Sequence, residues 1–295
     1  MPSFRFCRPD DSSLLIEATN QAFNIHFPRL VPITEEKFKR EIKELDLWTS
    51  SCVLASEDGK PIGVLIAAKR EEAATILRLG VVPRFQGHGY GSHLVASLKD
   101  KMSVLGPALL TVEITENQAG LITFFQKLGF ELEDEYYDFM FQSELEESSL
   151  PELVSEIGVD DLGSRFLHSS DGEFQVGEGF LAWMRQTQTI INQKNSVRGL
   201  GIPDLDGFAA YLYYREIQGS GACEGGSYVE IVAIGCRIRE KATILCGILI
   251  RYLLSQIQSR ILVPRLSKSE ISYDILEEIG FVRGARILRY GVGIQ

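Results

Sequence analysis

The sequence predicts an α/β protein with two domains, and three observations lead to this prediction. The chain has 295 residues, 45% of them hydrophobic, which is enough for two ordinary cores and unusually large for one. Segments with the apolar spacing of strands alternate with segments that have the spacing of helices in both halves. Between the halves, residues 144–151 are polar and have no period, as is typical of a linker.

Strands and helices follow one another throughout the first half. Continuous or alternating apolar residues predict strands, whereas apolar residues spaced three and four apart predict helices. The predicted strands are residues 4–8, 51–57, 61–69, 74–82, 108–115 and 136–141. The predicted helices are residues 11–23, 34–44, 92–102 and a helix that begins near Leu121.

The most informative stretch is a glycine-rich turn that joins a buried strand to a helix. Pro83 ends the strand because it lacks a backbone donor, and residues 86–91 then read Gln-Gly-x-Gly-x-Gly. Glycine at these positions lets an anion approach the backbone amides, and the positive end of the helix dipole attracts that anion. The spacing matches neither the dinucleotide fingerprint nor the P-loop. The turn therefore predicts a different kind of diphosphate site.

The strand, the proline, the glutamine and the glycines resemble, in this order, the acyl-CoA signature of the GNAT superfamily of N-acetyltransferases. A second segment agrees with the first: residues 116–119 read Glu-Asn-Gln-Ala and precede a helical pattern that ends at Gly129-Phe130. Gly129 has the place of a helix C-cap. The resemblance spans most of residues 3–141.

The resemblance implies that residues 1–143 form an acetyl-CoA-binding domain, a mixed and mostly antiparallel sheet flanked by helices. In this family the backbone of the strand pairs with the pantetheine arm, and the amides of the turn hold the pyrophosphate. It implies acetyl-CoA as the cosubstrate and no metal. Carried over by motif, the implied cofactor-binding residues are Leu79, Gly80, Val81, Gln86, Gly87, His88, Gly89, Tyr90, Gly91, Ser92, Asn117 and Phe125.

The resemblance leaves the catalytic acid and base open. The family's usual proton donor to the CoA thiolate is a tyrosine, but Phe125 stands at that position and has no proton to give. Tyr136, Tyr137 or a water can replace it, or the thiolate can leave unprotonated. Glu113 is our candidate base because it is the only carboxylate in an otherwise apolar strand; an exposed edge position or a structural ion pair is the alternative. His26 is a further candidate at the acceptor, with a surface position as the alternative.

The second half repeats the layout without the glycine-rich turn. It has predicted strands at residues 197–202, 207–216, 228–235 and 260–263 and predicted helices at residues 240–258 and 270–279. Gly280-Phe281 mirrors Gly129-Phe130, which indicates an internal repeat. Where the first half has glycines, residues 236–241 read Cys-Arg-Ile-Arg-Glu-Lys, and these side chains would keep a pyrophosphate away from the backbone. Binding of a phosphate by the charges of Arg237, Arg239 and Lys241 is the alternative. We therefore expect residues 150–295 to be a degenerate GNAT-like domain that shapes the acceptor side.

Composition excludes several other classes of function. Five cysteines without a Cys-x-x-Cys pair argue against a disulfide framework or a zinc site and fit a reducing cytoplasm. No apolar run reaches the roughly 18 residues of a membrane span, and a formal net charge of -10 argues against nonspecific nucleic-acid binding.

The sequence thus predicts a cytoplasmic enzyme, an N-acetyltransferase that moves an acetyl group from acetyl-CoA to a small-molecule or peptide amine. The competing hypothesis is a noncatalytic acyl-CoA-binding or regulatory protein. Phe125 and the degenerate second half favour that alternative. The sequence determines neither the acceptor nor the oligomeric state, and a homodimer stays open.

Overall fold

The computed structural model describes residues 2–24, 32–142, 153–161, 181–205, 207–218, 226–257 and 259–294, apart from the side chain of Arg239. The chain is an α/β protein, as predicted, and it divides into two compact units. Unit 1 comprises Met1–Glu133 together with Leu288–Gln295, and unit 2 comprises Asp134–Ile287. The predicted linker at residues 144–151 lies outside the described residues.

The boundary of the compact units differs from the predicted division into residues 1–143 and 150–295. The chain passes from unit 1 to unit 2 inside a strand, at Glu133, and the last eight residues belong to unit 1. Those last residues join unit 1 through its sheet, where the amide of Ile294 donates to the carbonyl of Ala108 at 2.7 Å. The predicted domains, residues 1–143 and 150–295, describe a repeat in the sequence, whereas the two units are defined by their compactness. The predicted division therefore stays a proposal.

Unit 1 contains five complete strands and four helices among its described residues. The strands are β1 (Ser3–Phe6), β2 (Val53–Glu57), β3 (Lys60–Lys69), β4 (Ala73–Val81) and β5 (Leu109–Thr115). The helices are α1 (Ser12–Asn24), α2 (Glu35–Glu44), α3 (Tyr90–Leu105) and α4 (Ala119–Lys127). Each of these elements lies where the sequence predicts it, with ends that differ by a few residues.

The sheet of unit 1 has the strand order β1-β2-β3-β4-β5. The first four strands pair antiparallel, whereas β4 and β5 are parallel, since α3 carries the chain back between them. Helices α1 and α2 cover one face of the sheet, with Leu15 and Phe38 in that core. Helices α3 and α4 cover the other face, with Leu94 and Phe125 in that core. The two faces are called below the α1–α2 face and the α3–α4 face.

Two strands contribute residues to both units: β6 (Glu131–Phe141) begins in unit 1, and β12 (Phe281–Gly293) ends there. The other strands of unit 2 are β7 (Ser155–Ile157), β8 (Val197–Asp204), β9 (Gly207–Ile217), β10 (Tyr228–Cys236) and β11 (Arg260–Ser267). Its described helices are α5 (Thr187–Asn192), α6 (Ala242–Gln256) and α7 (Tyr273–Ile279).

The sheet of unit 2 repeats the arrangement of unit 1. Its order is β6-β11-β10-β9-β8-β7, with the first part of β12 beside β6. Strands β10 and β11 are parallel and are connected by α6, just as β4 and β5 are connected by α3, whereas the pairs β10–β9, β9–β8 and β8–β7 are antiparallel. The internal repeat is thus visible in the topology. None of the described helices is long and apolar enough to cross a bilayer.

Candidate functional site

Strands β4 and β5 of unit 1 pair over only part of their length. Residues 73–76 of β4 pair with residues 109–112 of β5, whereas β4 continues to Val81 with β3 as its partner. The register between β3 and β4 shifts at Ile66, which places a bulge at Leu77. A bulge bends a strand and increases its twist, so β4 diverges from β5 beyond Ile76. We call the space between residues 77–81 of β4 and residues 113–115 of β5 the β4–β5 gap.

The glycine-rich turn lies at the end of β4 that borders this gap. Gly87 and Gly89 have φ angles of 76° and 80°, which other residues adopt only with strain. A Cβ atom built on either glycine would meet nothing within 4 Å, so the space in front of the turn is open. Gly89 is the N-cap of α3, and no side chain caps the helix. The amides at the start of α3 are therefore available to an anion.

Gln86 and His88 shape the turn itself. The side-chain amide of Gln86 donates to the carbonyl of Val81 at 2.8 Å, which ties the turn to the end of β4. Nδ1 of exposed His88 lies 2.8 Å from the carbonyl oxygen of Gln86, and its ring stacks on Tyr90 at 5.8 Å. Tyr90, Gly91 and Ser92 form the first turn of α3. The structure thus brings the predicted residues 86–92 together in one turn at the start of α3.

Gly80 has a structural role in addition to the one predicted for it. A Cβ atom on Gly80 would lie 2.8 Å from Cβ of Ala22 and 2.8 Å from Cε2 of Phe23, so α1 can pack on β4 only at a glycine. Leu79 and Val81, on either side of it, pack against the opposite, α3–α4 core. All three residues lie on the part of β4 that borders the gap.

Phe124 and Phe125 of α4 take different positions. Phe125 is only 1% exposed, and its ring centre lies 5.0 Å from that of Phe130. Half-buried Phe124 faces the turn, 3.5 Å from where a Cβ atom of Gly91 would stand. Asn117 is exposed just before α4. Phe125 is thus a core residue, and a contact of Phe125 or Asn117 with the cofactor stays a prediction.

Two charged residues lie where the β4–β5 gap begins, on the α1–α2 face. Glu113 directly follows Val112, the last β5 residue paired with β4, and it is half-buried. Its neighbours Val112 and Ile114 pack in the α3–α4 core, so Glu113 lies on the opposite face. Arg78 directly follows the bulge, and its Nη2 lies 3.0 Å from both carboxylate oxygens of Glu41 on α2. Arg78 is not among the site residues predicted from the sequence.

Tyr136 and Tyr137 belong to unit 2, not to the unit that carries the β4–β5 gap. Tyr136 is fully buried and packs with Ala182 and Ile287. Tyr137 packs edge-on against Tyr273 at 5.4 Å, with the guanidinium of Arg283 over its ring. Their assignment as proton donors stays a prediction. His26 lies outside the described residues.

Unit 2 contains a second gap of the same kind. Residues 228–230 of β10 pair in parallel with residues 260–262 of β11, and the register of β10 with β9 shifts after Ile231. This shift places a bulge at Val232, at the position in the repeat that Leu77 has in unit 1. We call the resulting space the β10–β11 gap.

A buried arginine bridges the β10–β11 gap. Nη1 of Arg185 donates to the carbonyl of Ile231 on β10 at 2.8 Å and to the carbonyl of Pro264 on β11 at 3.0 Å. Its Nε and Nη2 each donate to a different oxygen of Glu270 at 2.7 Å. The two side chains are 1% and 5% exposed. In unit 2 the side chain of Arg185 thus connects the two strands across the gap.

The turn after β10 also differs from the glycine-rich turn. Residues 236–241 carry a side chain at every position, and Arg237 pairs with Asp204 at 2.5 Å. The Cys236 thiol lies 3.1 Å from the carbonyl of Ile238, and a hydrogen bond with Cys246 lowers the pKa of Cys236 to about 7. Within the described ranges, no group of three or more His, Cys, Asp or Glu residues is arranged to hold a metal ion.

The β4–β5 gap and the glycine-rich turn lie in a segment that matches a known protein family. Residues 16–130, which contain both, match the model of the acetyltransferase (GNAT) family. The chain carries a GNAT acetyltransferase domain. A search of curated protein sequences finds no match.

Solved structures show that the GNAT fold extends over the whole chain. A GCN5-related N-acetyltransferase from Sphaerobacter thermophilus is 15% identical, with a TM-score of 0.61, over 100% of this chain and 96% of that one. A tandem GNAT protein from the clavulanic acid biosynthesis pathway is 13% identical, with a TM-score of 0.61, over 100% of this chain and 99% of that one. A putative acetyltransferase from Pyrococcus horikoshii is 14% identical, with a TM-score of 0.60 and coverages of 100% and 90%. The predicted tandem GNAT fold is confirmed.

Proposed function

We propose that the protein is an N-acetyltransferase that moves an acetyl group from acetyl-CoA to an amine. The observation that carries this proposal is the β4–β5 gap, which ends at a turn whose amides are open to an anion. Membership of residues 16–130 in the GNAT family supports acyl transfer in general. A small-molecule or peptide amine as acceptor and a cytoplasmic location are parts of the same proposal.

The residues of unit 1 fit acetyl-CoA. The start of α3, with Gly87 and Gly89 in front of it, would hold the pyrophosphate through backbone amides and the helix dipole. From Val81 back to Leu77, β4 presents about 13 Å of strand edge to the gap, at about 3.3 Å per residue, to which an extended pantetheine arm can hydrogen-bond. Acetyl-CoA would supply an activated thioester carbonyl, and an arm bound along β4 would have its acyl end toward the bulge at Leu77.

Glu113 is the base in this proposal. An amine is protonated at neutral pH and must lose a proton before it can attack a carbonyl, and a carboxylate can accept that proton directly or through a water. Glu113 stands at the start of the gap, level with the bulge, which supports this role. Tyr136 and Tyr137 remain our candidates for the proton donor. Release of the unprotonated thiolate is the alternative, because an ordinary thiol has a pKa of about 8.5.

An acetyl-transfer assay on the full-length chain tests the proposal. The chain is incubated with acetyl-CoA and a panel of primary amines, amino acids and short peptides, and free CoA thiol and acetylated product are measured together. We expect equal amounts of both, and we expect Glu113→Gln to lower kcat about 100-fold or more while acetyl-CoA affinity is kept.

The matched control for this assay is Glu131→Gln, since Glu131 is an exposed carboxylate of unit 1 outside the gap. It should leave kcat unchanged. A chain that binds acetyl-CoA but acetylates no amine would contradict the proposal and support the noncatalytic alternative.

A further inference from the structure

Arg78 pairs with Glu41, but one nitrogen of its guanidinium makes no hydrogen bond to any described residue. Only Nη2 contacts Glu41, and it lies 3.0 Å from both carboxylate oxygens. Nη1 is shielded from solvent and has no hydrogen-bond partner within the described part of the chain. Such a group costs free energy, so a buried guanidinium nitrogen without a partner needs an explanation.

Arg185 shows what a purely structural arginine looks like in the same chain. Its Nε and Nη2 form the two-point pair with Glu270 that arginine and carboxylate favour, and its Nη1 donates to two carbonyls. Arg78 instead meets Glu41 with one nitrogen, and the two hydrogens of its Nη1 have no acceptor within the described part of the chain. Glu41 thus holds Arg78 in place without using all of its donors.

The position of Arg78 connects it to the proposed reaction. It directly follows the bulge at Leu77, where the acyl group is expected. The turn that would receive the pyrophosphate leads into α3, which covers the α3–α4 face. We therefore expect the acceptor to approach from the α1–α2 face. Arg78 and Glu113 both lie on the α1–α2 face at the start of the gap.

We propose that Arg78 binds a carboxylate of the acceptor, so that the substrates are amines that also carry a carboxylate, such as free amino acids. This inference rests on the proposed function and adds the substrate class to it. Glu113 would attract the ammonium group, and Nη1 of Arg78 would donate to the carboxylate. A zwitterion matches this pair of opposite charges, whereas a simple amine leaves Nη1 of Arg78 without an acceptor. Arginine suits the role because its planar, charged donors fit carboxylate oxygens.

Matched pairs of acceptors test this inference. Glycine, L-alanine and β-alanine are each compared with their carboxamides in acetyl transfer by the wild-type chain, Arg78→Gln and Arg78→Lys. We expect the wild type to prefer the amino acids in kcat/KM, and Arg78→Gln to reduce that preference about 10-fold to 100-fold. Lysine keeps the charge and should retain part of the preference. Comparing each variant's ratio with that of the wild type cancels the difference in basicity between the amines.

Two controls separate this effect from damage elsewhere. Arg40→Gln removes a neighbouring arginine of α2 whose side chain is 66% exposed, and it should leave the preference unchanged. Acetyl-CoA affinity should be the same in the wild type and in Arg78→Gln.

The outcomes distinguish the substrate class from the proposed function. Equal use of amino acids and carboxamides by the wild type overturns the role of Arg78 while the acetyltransferase proposal stands. A preference for amino acids that is unchanged in Arg78→Gln also overturns the role of Arg78 and leaves the acetyltransferase proposal standing. If Arg78→Gln does not fold, the inference is tested by the ratios of kcat/KM for amino acid and carboxamide in the wild type and in Arg78→Lys. Absence of transfer to all six compounds, with transfer to another amine of the panel, overturns this inference alone. Absence of transfer to every amine of the panel contradicts the proposed function as well.

Discussion

The Gly89→Asp variant is expected to bind acetyl-CoA at least about 100-fold more weakly than the wild-type chain. Gly89 has a φ of 80° and caps α3, and the space in front of it is open. An aspartate there projects a negative charge into the place of the pyrophosphate. Like charges about 4 Å apart cost about 4 kcal/mol at an effective dielectric constant of about 20. The loss is to be measured by calorimetric titration with acetyl-CoA.

Gly89→Asn is the matched control for this prediction. Asparagine has the shape of aspartate without its charge, and both residues tolerate a positive φ better than most others. We expect Gly89→Asn to lose much less affinity than Gly89→Asp, with similar free energies of unfolding for the two. Equal affinities in the wild type and Gly89→Asp would remove the turn from the binding site.

The second large effect is expected in unit 2, where Glu270→Ala should lower the free energy of unfolding by about 3–5 kcal/mol. The substitution leaves the guanidinium of Arg185, which is 1% exposed, as a buried charge without its carboxylate. Its remaining bonds to the carbonyls of Ile231 and Pro264 do not neutralise it. By contrast, the double variant Arg185→Met/Glu270→Leu removes both charges and should be close to the wild type in stability.

Tryptophan fluorescence can follow this unfolding in unit 2 alone. The chain has two tryptophans, Trp48 in unit 1 and Trp183 in unit 2, and Trp183 is 4% exposed two residues from Arg185. In a Trp48→Phe background, urea unfolding is then read from Trp183. Glu277→Ala, which breaks an exposed pair with Arg283, serves as the control and should cost at most about 1 kcal/mol. An equally small effect of Glu270→Ala would show that the buried pair does not hold unit 2 together.

Local sequence signals were sufficient for most of the fold and for the position of the glycine-rich turn. The apolar spacing in residues 92–102 predicts a helix, and the structure has α3 at Tyr90–Leu105. Gly129, interpreted as a helix cap, has a φ of 84° just after α4. These features depend on neighbours along the chain, which is why the sequence reveals them. Strand β12 was missed because glycines and arginines interrupt its apolar alternation.

The other parts of the site depend on residues that are distant in sequence. The bulge at Leu77 inserts one residue into a strand, and the composition of β4 does not indicate it. Arg78 meets Glu41 across 37 residues, and Arg185 meets Glu270 across 85. An isolated arginine in a sequence gives no sign of such a partner. The sequence therefore predicts the glycine-rich turn, whereas the position of Arg78 and the bridged gap of unit 2 required the structure.

We propose that the chain has a single acetyl-CoA site, which lies in unit 1. Calorimetric titration of the full-length chain with acetyl-CoA, compared with the same titration of Gly89→Asp, tests this proposal. We predict one acetyl-CoA per chain for the wild type, because Arg185 bridges the β10–β11 gap, and binding at least about 100-fold weaker for the variant. Two molecules per chain, or one molecule that still binds Gly89→Asp with wild-type affinity, would contradict it.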